Sequence, residues 1–218
     1  MTTAAAPRRP LKSRDKGWAK ALAALLVRLR VRPNTISLFS VLFAALAGKA
    51  LWLVPDVSTR AAVGLYVAAA AGIQLRLLCN LLDGMVAIEG GMKSKTGEIW
   101  NDLPDRIADA FVLLGAGYSL RDVWWGPTLG WLATSLAILT AYVRLLGGAA
   151  GVTQQFIGPM AKPHRMATLT VACLLAALER VLGWPPRAMP LALALVIAGS
   201  AVTAARRTWR IARELESR

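Results

Sequence analysis

"NLLDGMVAIEGGMKSKTGEIWNDLPDRIADA" occupies residues 80–110. It sets Asp83, Glu89, Glu98, Asp102, Asp105 and Asp109 where two apolar segments meet, each greasy enough to lie in a bilayer. Ionisable side chains in a membrane span are costly, and those that persist face a protein interior or a water-filled space. Asn80 and Asp83 are three residues apart, so a helix places both on one face. Gly84 follows, leaving room for another backbone or a ligand to approach. Glu98, Asn101, Asp105 and Asp109 recur at steps of three and four and form a second stripe. The joining segment, EGGMKSKTG, is short enough for the two stripes to face each other.

Opposed helices bearing side-chain oxygens suit a hard divalent cation, Mg²⁺ or Mn²⁺, which is often shared with phosphates. Such an ion neutralises phosphate charge and orients a phosphoryl-type transfer, while a remaining carboxylate takes a proton from an attacking hydroxyl. Glu98 and Asp102 are assigned a plainer role, since negative charge favours a helix N-terminus.

The rest of the chain supports a membrane setting. Its 218 residues suit one domain, 56% are hydrophobic, and the formal net charge is +14. High apolar content and strong positive charge coexist when basic residues lie outside the hydrocarbon and meet anionic lipid headgroups. The long apolar runs argue against nucleic acid as the basic chain's partner. Cys79 and Cys173 lie in apolar runs and read as small buried hydrophobes. The single histidine, His164, excludes a multi-histidine metal cluster and reads as a loop residue. No secretory signal is expected, because Arg28, Arg30 and Arg32 break the first apolar stretch.

Six segments are long and apolar enough to cross a bilayer: roughly 36–54, 61–86, 104–119, 126–146, 166–182 and 189–205. The expected fold class is therefore all-α integral membrane, with six transmembrane helices. With both termini on one side, that side collects eighteen Lys and Arg against four on the other, Arg60, Arg121, Arg180 and Arg187. This positive-inside bias places both termini, and the acidic stripes with them, in the cytoplasm. Before the first span, Trp18, Leu22, Leu25, Leu26 and Leu29 recur at helical spacing among basic residues. They predict an amphipathic interfacial helix, ended by Pro33, with Asn34 or Thr35 capping the span that follows. The expected organisation is a disordered basic N-terminus over 1–13 and the juxtamembrane helix over 14–32. A six-helix membrane domain over 33–206 and a basic cytoplasmic tail over 207–218 complete it. Lys49 is expected to snorkel or pack between helices.

The stretch resembles the CDP-alcohol phosphotransferase family, whose motif is D-x-x-D-G-x-x-A-R-x8-G-x-x-x-D-x-x-x-D. The same frame here reads Asn80, Asp83, Gly84, Ala87, Ile88, Gly97, Asn101 and Asp105, with every spacing kept. RPNTIS, at residues 32–37, is similar to the Pro-Asn-x-x-Ser/Thr that opens the family's first span. The resemblance covers nearly the whole chain and carries several implications. The function it implies is transfer of a phospho-alcohol, usually phosphatidyl, group from a CDP-activated donor such as CDP-diacylglycerol to a hydroxyl acceptor. CMP is released, and the setting is phospholipid biosynthesis in the bacterial inner membrane. Asn80, Asp83, Asn101 and Asp105 become the metal positions for Mg²⁺ or Mn²⁺, with Asp105 also the catalytic base. Gly84, Ala87 and Gly97 leave room for the nucleotide. Arg144, Lys162 and Arg165 meet a phosphate or anionic headgroup. A homodimer is also implied, with Gly115, Gly117, Ala141 and Gly147 as small residues suited to helix packing.

The sequence departs from the motif at three places. Asn80 and Asn101 replace acids, and Ile88 replaces the arginine. An amide oxygen can ligate a metal but brings no charge, and Asp109, one turn beyond Asp105, is a possible compensating acid. Two alternatives follow. One is a non-catalytic relative that binds lipid or nucleotide in the membrane. The other, a small transporter, is disfavoured because the polar residues gather at one edge of the spans.

Overall fold

The structure, a computed structural model, describes residues 17–92 and 96–218, and not the side chains of Glu98 and Asn101. The disordered N-terminus expected over 1–13, and Lys93 and Lys95, lie outside the described residues. Within them the chain is helical and contains no strand. A short helix α1 (Gly17–Arg28) precedes six long ones: α2 (Pro33–Leu53), α3 (Thr59–Glu89), α4 (Gly97–Tyr118), α5 (Gly126–Ala149), α6 (Lys162–Leu182) and α7 (Ala188–Glu216).

Among the described residues, four segments are long and apolar enough to cross a membrane: Pro33–Asp56, Thr59–Glu89, Gly126–Ala149 and Ala188–Glu216. α4 and α6 fall short of that measure for a visible reason. α4 carries Glu98, Asp102, Asp105, Arg106 and Asp109 toward its N-terminal end, and α6 carries Lys162, Arg165, Glu179 and Arg180. Hydropathy alone scores such a helix low, yet Asp105 and Asp109 on α4 and Arg165 on α6 are buried within the protein.

Element boundaries differ from the sequence expectation where a local signal misleads. Pro104 resembles a helix start, but it sits inside α4, which begins at Gly97. Asn34 and Thr35 cap nothing; Arg32 is the N-cap of α2 without a side-chain bond, and Pro33 takes the first turn. The expected tail from 207 is helical instead, because α7 continues to Glu216. His164 is not in a loop, but exposed in the first turn of α6.

Successive helices alternate in direction. The start of α2, end of α3, start of α4, end of α5, start of α6 and later part of α7 therefore gather at one end of the bundle. α3 packs on α2 and α6, α4 on α2 and α5, and α7 on α5 and α6. A core of Leu51, Ile73, Val112, Leu113, Met166, Leu169 and Leu193 fills the centre. α1 lies on α3, with Ala19 and Ala23 against Leu81, Leu82, Met85 and Val86. Of the apolar set expected on one face of α1, Leu22 and Leu26 pack inward, whereas Trp18, Leu25 and Leu29 are exposed. At the opposite end, Trp52 stacks on Tyr118 at 5.3 Å, Lys49 lies over the Trp52 ring at 5.0 Å, and Arg121 pairs with Asp56.

Small residues let α4 approach both its neighbours. A Cβ on Gly48 would collide with the Phe111 carbonyl oxygen of α4. A Cβ on Gly117 would stand 2.6 Å from the Gly130 Cα of α5. Gly115 faces Gly48, and Gly147 faces Ile211. These glycines serve packing within the chain, which corrects their assignment to a dimer contact. Gly48→Val is expected to destabilise by roughly 3 kcal/mol, because backbone cannot yield as a flexible side chain does. Gly64→Ala, with open space around the new methyl, should leave stability unchanged or slightly raised. Thermal unfolding of the two variants in detergent micelles checks both.

Candidate active site

Where the helix ends gather, a cavity of about 490 Å³ opens. α3 supplies Asn80, α4 Asp102 and Asp105, α5 Thr140 and Arg144, α6 Lys162 and Arg165, and α7 Arg207. α4, α5 and α6 each deliver a pair through a three- or four-residue step, which keeps side chains on one face.

Beneath the cavity lies an ion cluster. Asp109 is buried, and both its oxygens are occupied: Arg76 Nη2 stands 2.5 Å from Oδ1 and Arg165 Nη2 2.8 Å from Oδ2. Arg76 and Arg165 are themselves fully enclosed. α3, α4 and α6 are thus joined through one carboxylate. Arg165 Nη1 also donates to the Met160 carbonyl at 3.0 Å, and Arg207 donates to the Ile157 carbonyl at 2.9 Å and the Thr140 carbonyl at 2.6 Å. These bonds fix the loop before α6 against α5. Asp109, the possible compensating acid, is held here by two guanidiniums, one on each oxygen.

Asp105 sits above this cluster. Its Oδ2 contacts the Lys162 ammonium and lies 3.8 Å from Arg106 Nη2. Its Oδ1 is buried, 3.9 Å from Arg76 Nη2, and has no hydrogen-bond partner. Asp102, assigned by sequence to a helix start, lines the cavity and pairs with Arg144 at 2.5 Å. Arg144 in turn lies over the Phe156 ring at 5.3 Å. Asp83 is buried on the α2 side, where Oδ2 accepts from Ser37 Oγ at 2.8 Å and Oδ1 accepts from the Gly84 amide at 2.6 Å. Ser37 is the serine of RPNTIS, so the motif at the start of α2 serves to hold Asp83. Asp83 remains within electrostatic reach of Asp105 and Lys162.

The structure therefore brings together Asn80, Asp105, Arg144, Lys162 and Arg165 at one cavity. Asp83, Gly84, Ala87 and Gly97 lie outside its wall. Asn101 is on α4, one turn before Asp105, but its side chain lies outside what the structure describes. Sequence reasoning missed Asp102, Ser37, Thr140, Phe156 and Arg207. Only Ser37 carried a signal, through its motif; the rest are joined by contacts between segments far apart in sequence.

Among the described residues no three His, Cys, Asp or Glu gather as a metal cluster. The buried polar atoms without a hydrogen-bond partner nevertheless include Asp105 Oδ1 and the Asn80 Nδ2, beside Arg76 Nε and Nη1 and Arg165 Nε. The two ends of an amide differ only by rotation about one bond, so Asn80 can present its oxygen there instead. Both residues line the same cavity, and their oxygens are of the kind a hard divalent ion takes.

No family model matches the sequence, and no curated protein does. Solved structures do match. Mycobacterium tuberculosis phosphatidylinositol phosphate synthase with CDP-DAG bound is 22% identical with a TM-score of 0.72, over 88% of this chain and 92% of that one. The same synthase with manganese and citrate is 21% identical with a TM-score of 0.70, over 88% of each chain. Its apo form gives 22% and 0.67, over 86% of this chain and 92% of that one. The chain has the synthase fold.

Asp109→Asn would remove the close counter-charge of two buried guanidiniums, leaving Arg76 only Asp105 at 3.9 Å, at a cost of roughly 3–5 kcal/mol. Asp102→Asn, at the cavity rim, should cost under about 1 kcal/mol. Denaturant unfolding of both variants in micelles separates the buried cluster from the rim pair.

Proposed function

We propose that this chain is a membrane CDP-alcohol phosphotransferase. It transfers a phospho-alcohol, on this reading phosphatidyl, group from a CDP-activated donor to a hydroxyl acceptor and releases CMP, in phospholipid biosynthesis. One observation carries the reading. The fold matches a synthase solved with CDP-DAG bound, and the motif residues Asn80 and Asp105 meet a basic wall at one cavity of this chain.

In this proposal Lys162, Arg144 and Arg165 attract the donor's pyrophosphate into the cavity. Gly84, Ala87 and Gly97 leave space beside it for the cytidine. Asn80, Asp83, Asn101 and Asp105 would hold Mg²⁺ or Mn²⁺. When bound, such an ion would neutralise pyrophosphate charge and favour departure of CMP. The acceptor hydroxyl attacks the phosphorus that bears the lipid. Its oxygen–phosphorus bond forms as the bond to CMP breaks, and that bond's electron pair leaves with CMP. Asp105 takes the hydroxyl proton. Asp109, Arg76 and Arg165 keep Asp105 in place from below.

The proposed setting is a bacterial inner membrane crossed by all six long helices, with both termini and the cavity cytoplasmic. α1 would lie at the interface, where exposed Trp18, Leu25 and Leu29 meet acyl chains and neighbouring basic residues meet anionic lipids. A homodimer, if formed, uses surfaces other than the glycines already packed within the chain.

A second reading has its own observation. Only Asp83 and Asp105 remain of the four acidic motif positions, and both have partners in the chain. A non-catalytic relative that binds lipid or nucleotide would look the same.

Release of labelled CMP from CDP-diacylglycerol on addition of hydroxyl acceptors, in mixed micelles with Mg²⁺, decides between them. Wild type is expected to release CMP with its acceptor, and Asp105→Ala to lose on the order of a hundredfold or more. Binding of CDP-diacylglycerol without CMP release to any acceptor would establish the non-catalytic reading.

A further inference from the structure

We infer that the Lys162 ammonium is a resident cation of the site, which neutralises a nucleoside diphosphate directly and competes with a divalent ion for Asp105. The inference rests on the nucleotide-donor reading above and assigns part of the expected metal's work to the chain itself.

The observations concern how charge is shared around the cavity. Three guanidiniums have a close carboxylate partner, Arg144 in Asp102 and Arg76 and Arg165 in Asp109, while Arg106 stands 3.8 Å from both Asp102 and Asp105. Lys162 differs. Its ammonium meets Asp105 Oδ2 at the cavity wall, and a fifth of its side chain stays accessible. An ammonium is a compact charge on a flexible stem, able to turn from a carboxylate to an entering phosphate without leaving the site. Asp105 is thus divided between two cations. Oδ2 faces the ammonium, while the buried Oδ1, which accepts no hydrogen bond and has Arg76 Nη2 3.9 Å away, is the position left for a divalent ion.

The motif explains why a resident cation belongs here. With asparagine rather than an acid at motif positions 80 and 101, the sequence offers a metal less negative charge than four carboxylates would. A fixed positive charge beside Asp105 weakens metal binding further, since like charges a few ångströms apart repel. The same charge favours a pyrophosphate in the absence of any metal. Metal affinity and metal-free nucleotide affinity therefore move in opposite directions when the ammonium is removed. A purely structural lysine moves both downwards or neither.

The test uses the full chain in detergent micelles, with CDP as probe in EDTA and Mn²⁺ titrated separately by electron paramagnetic resonance. Wild type should bind CDP in EDTA. Lys162→Met should weaken that binding about tenfold and tighten Mn²⁺ by a similar factor, the usual scale of one neighbouring charge. Lys162→Gln should show the same opposed pair, and Lys162→Arg should keep the CDP affinity. Unchanged or weaker Mn²⁺ binding in Lys162→Met overturns the inference, as does unchanged CDP binding in EDTA. If wild type binds CDP only with Mn²⁺, this inference falls while the donor reading stands. If it binds CDP under neither condition, both fall.

Discussion

The carboxylate of Asp109, clamped between Arg76 and Arg165, is the interaction on which the rest of this structure rests. Charges taken out of water are tolerated only when paired with good geometry. Here that requirement fixes three helices at once, because the three side chains come from α4, α3 and α6. Once α3, α4 and α6 are held, the next turn of each presents its polar residue to the same space. Asn80 lies one turn beyond Arg76, Asp105 one turn before Asp109, and Lys162 just before Arg165. The cavity is the consequence of a buried ion cluster placed one helical turn below it.

The charges above the cluster follow a different rule. They are partly open, so each pair is weaker and can exchange partners. Asp102 with Arg144, and Asp105 with Lys162, close the wall when nothing else is present. A pyrophosphate entering the cavity offers the same cations a second set of oxygens. The site is therefore stabilised without substrate by the carboxylates that the proposed chemistry needs. Ser37 plays the matching part for Asp83, holding it with a neutral hydrogen bond that does not spend its charge.

Much of this was legible in the sequence because it is periodic. The six long helices follow from apolar runs, and the pairing of α3 with α4 follows from two polar stripes and a short connection. Errors arose where one residue type has two uses. Pro104 looks like a helix start but lies inside α4, and Asp102 looks like a helix-end charge but faces Arg144 across the cavity. Arg207 looks like part of a basic tail, yet it is buried and ties α7 to the Thr140 and Ile157 carbonyls. Asp109 looked available as an acid because spacing along one helix cannot reveal arginines arriving from two others. Contacts between distant segments leave no trace in local periodicity, and every missed residue except Ser37 is of that kind.

The central claim is that Asp105 and Asn80 mark the place where a divalent ion and a donor pyrophosphate meet at one end of the bundle. Anomalous diffraction from crystals grown with Mn²⁺ and CDP-diacylglycerol tests it most directly. The expected result is a manganese peak against Asp105 Oδ1 and the Asn80 amide, with the pyrophosphate between it and Lys162. Manganese and nucleotide found elsewhere, with the Asp105–Lys162 pair undisturbed, would contradict it.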